Sequence, residues 1–248
     1  MQVKLTLEYD GANYSGWQLQ RHQDSIQAQV EAALRRIFGV LVRVRAAGRT
    51  DAGVHALEQV AAAHLPRPFD PAELGRALNA LLPADIVVHD CVAIGDGFDP
   101  RRDAIRRAYE YRIVNRSCRS AFECRYVWLI SETLELDAMN RAAAIFIGQH
   151  DFAAFRTLGS GELSTTRRVY ASEWTFAPER LIYRVEASSF LRHMVRTMVA
   201  AMVEVGRRRA KPEWIAELLE ARDRGRAPAS APAAGLYLTR ISYPDVAS

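Results

Sequence analysis

The chain opens on a strict alternation of side chains. Val3, Leu5, Leu7 and Tyr9 are apolar, and Lys4, Thr6 and Glu8 between them are polar. A period of two predicts a half-buried strand, broken by Asp10-Gly11. Asp24 and Gln27 form a capping-box pattern, and Ile26, Val30, Ala33, Leu34 and Ile37 follow at helical spacing until Gly39. Val40, Val42 and Val44 alternate with Arg43 and Arg45 and predict a second strand. A polar, Gly-containing stretch at 46–56 intervenes before a strand through Val60 and His64. Asp70 and Pro71 then open a helix carrying Leu74, Ala77, Leu78 and Leu81. Ile86 to Ala93 closes the first half as a strand, giving the order β-α-β-β-α-β.

The second half repeats that order. Tyr109–Val114 reads as a strand, and Asp137 opens a helix through Ala142 and Phe146 that Gly148 ends. Strands near Val169–Phe176 and Leu181–Ala187 flank a turn at Ala177–Arg180. Leu191, Val195, Met198, Val199 and Met202 mark a helix stopped by Gly206. A short helix around Trp214–Leu219 precedes a last strand, Leu236–Ile241, and Arg222–Gly235 reads as a flexible basic loop. The expected fold class is α+β. Two ferredoxin-like domains, residues 1–97 and 98–248, each carry an antiparallel sheet, and the sheets flank a central active-site cleft.

Composition adds little until charge is divided along the chain. The 248 residues have ordinary globular proportions, 49% hydrophobic and 25% charged. No apolar run reaches the roughly 18 residues of a membrane span, and the N-terminus has no signal-peptide core. Cys91, Cys118 and Cys124 form no CxxC pair, so a cytoplasmic protein with reduced thiols and no metal is expected. Of 33 basic residues 31 are Arg, but the 39 Ala point to a GC-rich coding sequence as the simpler cause. The distribution is harder to explain that way. Residues 1–100 carry a balance of −3 and residues 101–248 one of +7. Residues 101–125 hold eight Arg against three acids, interleaved with Tyr109, Tyr111 and Phe122. Such interleaving is the footprint of a nucleic-acid surface, and equally of a solvated basic face.

Gly48-Arg49-Thr50-Asp51-Ala52-Gly53-Val54-His55 concentrates the candidate chemistry. A guanidinium two residues from a carboxylate favours its ionised form, and glycines let a ligand approach the backbone. A carboxylate kept charged where water is excluded is a nucleophile or base; the same residues also make a tight turn with a surface ion pair. Asp51 and His55 are potential metal ligands, but no further ligand stands at a diagnostic spacing. Tyr109 and Tyr111, two apart on a strand, share a face that either stacks a base or packs the sheet. Arg192 and Arg196, four apart, share a helical face that either reaches a carboxylate in the cleft or meets solvent.

Taken in order, these segments resemble the TruA family of tRNA pseudouridine synthases. The resemblance rests on Leu7–Gly11 (LEYDG), Ser15–Gln18 (SGWQ), Ala47–His55 (AGRTDAGVH), Ala108–Arg112 (AYEYR), Gly148–Phe152 (GQHDF), Phe190–Arg196 (FLRHMVR) and Gly235–Leu238 (GLYL). It runs from about residue 3 to residue 244. The resemblance implies an isomerase that converts uridine to pseudouridine at positions 38, 39 and 40 of the tRNA anticodon stem-loop. It implies no cofactor, no metal and a homodimer. The family's catalytic aspartate falls on Asp51, its base-stacking tyrosine on Tyr109, the base-extruding arginine on Arg49 and the basic partner of the aspartate on Arg196. Leu19 and Glu110 stand where family members commonly carry basic residues, which bears on RNA contact rather than on the chemistry. Two other readings remain, a catalytically silent RNA-binding or tRNA-folding protein, and a metal-dependent hydrolase using Asp51 and His55.

Overall fold

The opening alternation produces the strand it predicts, β1 (Gln2–Tyr9), with Val3, Leu5 and Leu7 fully buried. A computed structural model describes residues 1–157, 159, 164–178 and 180–244. The architecture is α+β, with five α-helices and ten strands among the described residues. The chain forms two compact units: residues 1–105 with the segment from Tyr237 onward, and Arg106–Leu236. The units therefore part at Ile105 rather than at residue 97, and the end of the chain groups with the first.

In the first unit β1 is followed by α1 (Ile26–Phe38), β2 (Val44–Ala46), β3 (His55–His64), α2 (Pro71–Leu81) and β4 (Ile86–Ile94). β1 lies between β3 and β4, antiparallel to both. The helix cap is Ser25, whose side chain accepts from Ala28 N, rather than Asp24. Gln27 is spent instead on side-chain bonds to Gln18 and Glu31. Asp70 caps α2 as predicted, accepting from Glu73 N at 2.8 Å, with Pro71 in the first turn. The strand expected from Val40 shrinks to β2. Val40 and Leu41 are 51% and 54% exposed, so their half of the alternation has no sheet to bury it. Leu74 and Leu78 of α2 and Val30 and Leu34 of α1 supply the helical layer of this core.

The second unit runs β5 (Arg106–Asn115), β6 (Trp128–Ile130), α3 (Leu136–Ile145), β7 (Gly148–Asp151), β8 (Thr166–Ala177), β9 (Arg180–Ala187), α4 (Met194–Gly206) and α5 (Trp214–Ala221). The antiparallel order is β5-β9-β8-β7, with β6 parallel to β5. Glu179 of the predicted turn lies outside the described residues. β6 and β7 were not anticipated; at three and four residues they are too short for a period to declare itself. α4 is buried on nearly every face, from Met194 through Val205, and packs on α3. A methyl at Gly206 would come within 2.6 Å of Met139 Sδ, which explains a glycine at the end of that contact.

β10 (Leu236–Ser242) closes the chain. Tyr237 and Leu238 pair in parallel with His55 and Ala56 of β3. Neither unit's sheet is thus purely antiparallel, a correction to the expected architecture. A parallel pairing 182 residues apart leaves no local trace in sequence.

Candidate active site

The Gly48–His55 segment leaves β2 through Ala47 and enters β3 at His55. It is clasped from beneath by residues 9–17. Trp17 N donates to Thr50 O at 3.1 Å, and Gly53 N donates to Tyr14 O at 3.2 Å. Gln59 Nε2 donates to Gly48 O at 2.8 Å and to the Tyr9 hydroxyl at 3.3 Å. The Tyr9 hydroxyl also shares a hydrogen bond with Thr50 Oγ1, 2.8 Å away. Burial pushes the Tyr9 phenol up to about 12, so it stays neutral across physiological pH. A buried relay from β3 through β1 thereby fixes the residue between Arg49 and Asp51.

Tyr9→Phe removes the hydroxyl that bonds Thr50 and Gln59 and leaves two buried groups short of a partner. We expect a loss of about 1–2 kcal/mol in stability, measured as a lower denaturant midpoint at unchanged m-value.

Two close approaches make the clasp possible. A Cβ at Gly11 would fall 2.0 Å from Val54 O, and one at Gly16 would fall 2.4 Å from Thr50 O and 2.9 Å from Asp51 C. Gly16 also has φ of +91°. The clasp is itself anchored. Ser15 N donates to Asp24 O, Ile26 N to Gly16 O and Gln27 N to Trp17 O, which tie it to the start of α1. The Tyr14 hydroxyl donates to Asp85 Oδ1 at 2.6 Å, which ties it to the approach to β4. His55 completes the frame. Its Nδ1 accepts from Gly11 N at 3.1 Å and lies 3.0 Å from Asp10 Oδ1, and its ring stacks on Tyr237 at 4.7 Å.

On this frame Thr50 is buried, Asp51 is half-buried and Arg49 is exposed. The loop therefore presents a carboxylate and a guanidinium from a backbone that cannot easily move. Among the described residues no three His, Cys, Asp or Glu side chains gather as a metal-binding group.

Tyr109 and Arg196 belong to the second unit. Tyr109 on β5 is half-buried, with Phe190 edge-on at 5.1 Å. Tyr111 shares its strand face but not its situation. It is fully buried, lies edge-on to Trp128 and donates to Pro232 O at 2.8 Å. Only Tyr109 of the pair is therefore accessible to a ligand. α4 begins at Met194, so Arg192 precedes the helix and the expected shared face with Arg196 does not exist. Arg196 Nε donates to Ala231 O at 2.7 Å, Ala231 N donates to Arg196 O, and Thr197 bonds Ser230. The stretch expected to be a flexible loop is thus tied to α4. Burial raises the Tyr111 phenol while the nearby Arg196 guanidinium lowers it, burial prevailing.

A profile of the family described as tRNA pseudouridine synthase matches residues 6–101 and 142–244. The chain belongs to that family. It is 42% identical to the tRNA pseudouridine synthase A of Myxococcus xanthus over 245 residues, 98% of this chain and 92% of that one. The corresponding protein of Beijerinckia indica is 43% identical over 243 residues, covering 98% and 94%. That of Thermotoga sp. is 41% identical over 243 residues, covering 97% and 99%. Among solved structures, a chain in "Crystal Structure of a Cbf5-Nop10-Gar1 Complex" is similar at 14% identity and a TM-score of 0.38, over 95% of this chain and 57% of that one. This chain thus spans little more than half its length. In the tRNA pseudouridine synthase match, the clasp, Asp51 and Arg196 fall inside the two blocks, and Tyr109 falls between them.

Proposed function

We propose that this chain isomerises uridine to pseudouridine in tRNA, at positions 38, 39 and 40 of the anticodon stem-loop, with Asp51 as the catalytic residue. The observation that carries the reading is the Asp51 loop, held rigid from both sides inside a chain of the tRNA pseudouridine synthase family. The reaction breaks the N1–C1′ glycosidic bond, turns the uracil and forms a C5–C1′ bond. The C5 proton leaves and N1 gains one. Atoms and electrons balance with no co-reactant, so a carboxylate and a means of holding the base suffice chemically.

A uridine in a stem is stacked and paired, and exposing it costs a few kcal/mol. Arg49, exposed at the edge of the loop, occupies the vacated place. Tyr109 stacks on the extruded base, its Phe190 contact fixing the ring. In this reading Arg196, whose Nε donates to the Ala231 carbonyl, is the basic partner of Asp51. A homodimer in the cytoplasm is part of this reading, and no helix among the described residues is long and apolar enough to cross a membrane. The shape-reading of A-form RNA suits modification of several neighbouring positions.

The test is pseudouridine mapping at single-nucleotide resolution on an unmodified tRNA transcript incubated with the purified protein. New pseudouridines at 38–40 are expected. Their absence on tRNAs bearing uridine there, from folded protein that binds the transcript, supports the silent RNA-binding reading instead.

A further inference from the structure

The segment 102–141 lies between the two family-matched blocks, and beyond Tyr109 and Tyr111 its basic, aromatic portion is not used by the site above. Between β5 and β6 the chain runs Arg116-Ser117-Cys118-Arg119-Ser120-Ala121-Phe122-Glu123-Cys124-Arg125. Phe122 is 90% exposed, and Phe176 at the end of β8 is 69% exposed. Single exposed apolar side chains need no explanation. Their sequence neighbours Glu123 and Ala177 line one cavity of about 320 Å³ together with Val114, Pro178 and Arg180. Arg180 pairs with Glu123 and joins the loop to the β8–β9 hairpin. In sequence the loop and the turn 177–180 carry four arginines against two glutamates.

We infer that this end of the second unit is an accessory RNA-docking site, where an unpaired nucleotide of the tRNA stacks on Phe122 and its phosphates meet Arg119, Arg125 and Arg180. The inference rests on the tRNA reading for the identity of the RNA. Aromatic platforms beside basic side chains hold nucleotides without needing a particular base. The cavity beside Phe122's neighbour Glu123 is at the small end of ligand pockets and leaves room next to the loop for the nucleotide's sugar and phosphate. Charge decides against a second copy of the chain as occupant. A two-fold contact brings together two copies of a patch with four arginines against two glutamates and so doubles its net positive charge, whereas RNA supplies the missing negative charge. Val114 is five residues from Tyr109 along β5, about 17 Å of strand. The docked nucleotide is therefore not the one undergoing reaction.

The experiment titrates an unmodified tRNA transcript against the full chain at several salt concentrations and measures turnover in parallel. Phe122→Ala is expected to raise Kd and KM about tenfold while kcat at saturating tRNA stays within twofold. Phe122→Tyr is expected to restore wild-type affinity. Arg119→Ala is expected to flatten the slope of log affinity against log salt by close to one. Unchanged affinity in Phe122→Ala, with the wild-type salt slope in Arg119→Ala, overturns the inference. So does a Phe122→Ala protein whose sedimentation changes while its tRNA affinity does not, which identifies a protein contact. If Phe122→Ala loses its native circular dichroism, the Arg119→Ala slope decides alone. A wild-type protein that binds tRNA but forms no pseudouridine defeats the functional reading, while the binding differences still judge the docking site.

Discussion

Asp51→Asn is expected to reduce pseudouridine formation by a factor on the order of 10⁴ or more, with the fold and tRNA binding retained. The amide is nearly isosteric with the carboxylate, and Asp51 is only half-buried, so little packing is lost. The backbone bonds on either side of it, Trp17 N to Thr50 O and Gly53 N to Tyr14 O, do not involve its side chain. What disappears is the negative charge and one nucleophilic, proton-accepting oxygen. Removing one negative charge from an RNA-binding protein tends, if anything, to strengthen contact with the polyanion. The measurement is single-turnover pseudouridine formation alongside a binding titration and a thermal melt. Turnover within tenfold of wild type would show that Asp51 does not carry the chemistry. Asp51→Glu separates position from charge. It keeps the carboxylate but advances it by one methylene, and a displacement near 1 Å at a reacting group costs about 10² in rate.

How far the sequence foretold this arrangement depends on the range of the interactions involved. β1 and the Asp70–Pro71 start of α2 were legible because each rests on a local rule, a period of two and a capping pattern. The Asp51 loop was legible as a dense set of reactive residue types. Its support was not. Tyr9 and Gln59 are fifty residues apart and meet only because β1 and β3 pair. Gly11 and Gly16 were visible as parts of LEYDG and SGWQ, yet nothing local says that both press against the backbone of residues 50–54. His55 looked like a possible metal ligand, and its neighbours give it a structural task instead, receiving the Gly11 N–H and lying against Tyr237. Tyr109 and Tyr111 were indistinguishable by spacing. The Gly235 turn, where a Cβ would meet the Tyr111 ring at 2.7 Å, is part of what buries one and not the other. The 222–235 stretch misled by composition: its Pro, Ala and Arg content reads as loose, but Ser230 and Ala231 are bonded to α4.

Gly16→Ala is expected to damage both stability and turnover, the second more than the first. Two costs act at once. The residue is held at φ of +91°, where an L side chain costs about 1–3 kcal/mol. Its methyl would also sit 2.4 Å from Thr50 O and 2.9 Å from Asp51 C, distances that backbone atoms do not tolerate. Relief requires the 50–51 peptide to move away by roughly an ångström, against the Trp17 and Gly53 hydrogen bonds and the Tyr9–Thr50 bond. If Asp51 is the catalytic group proposed above, a shift of that size at its carboxylate corresponds to about a hundredfold loss in kcat, while tRNA binding, spread over many phosphate contacts, changes little. Gly39→Ala provides the control. Gly39 ends α1 at φ of +76°, but a Cβ there meets nothing within 4 Å. It carries the conformational penalty without the collision, and a drop in melting temperature at wild-type kcat is expected. Equal kcat losses in the two variants would mean that general destabilisation, not the position of Asp51, limits turnover. A Gly16→Ala enzyme with wild-type kcat would mean that the clasp does not set the catalytic geometry. The Asp51 loop would then owe its active form to the bound RNA.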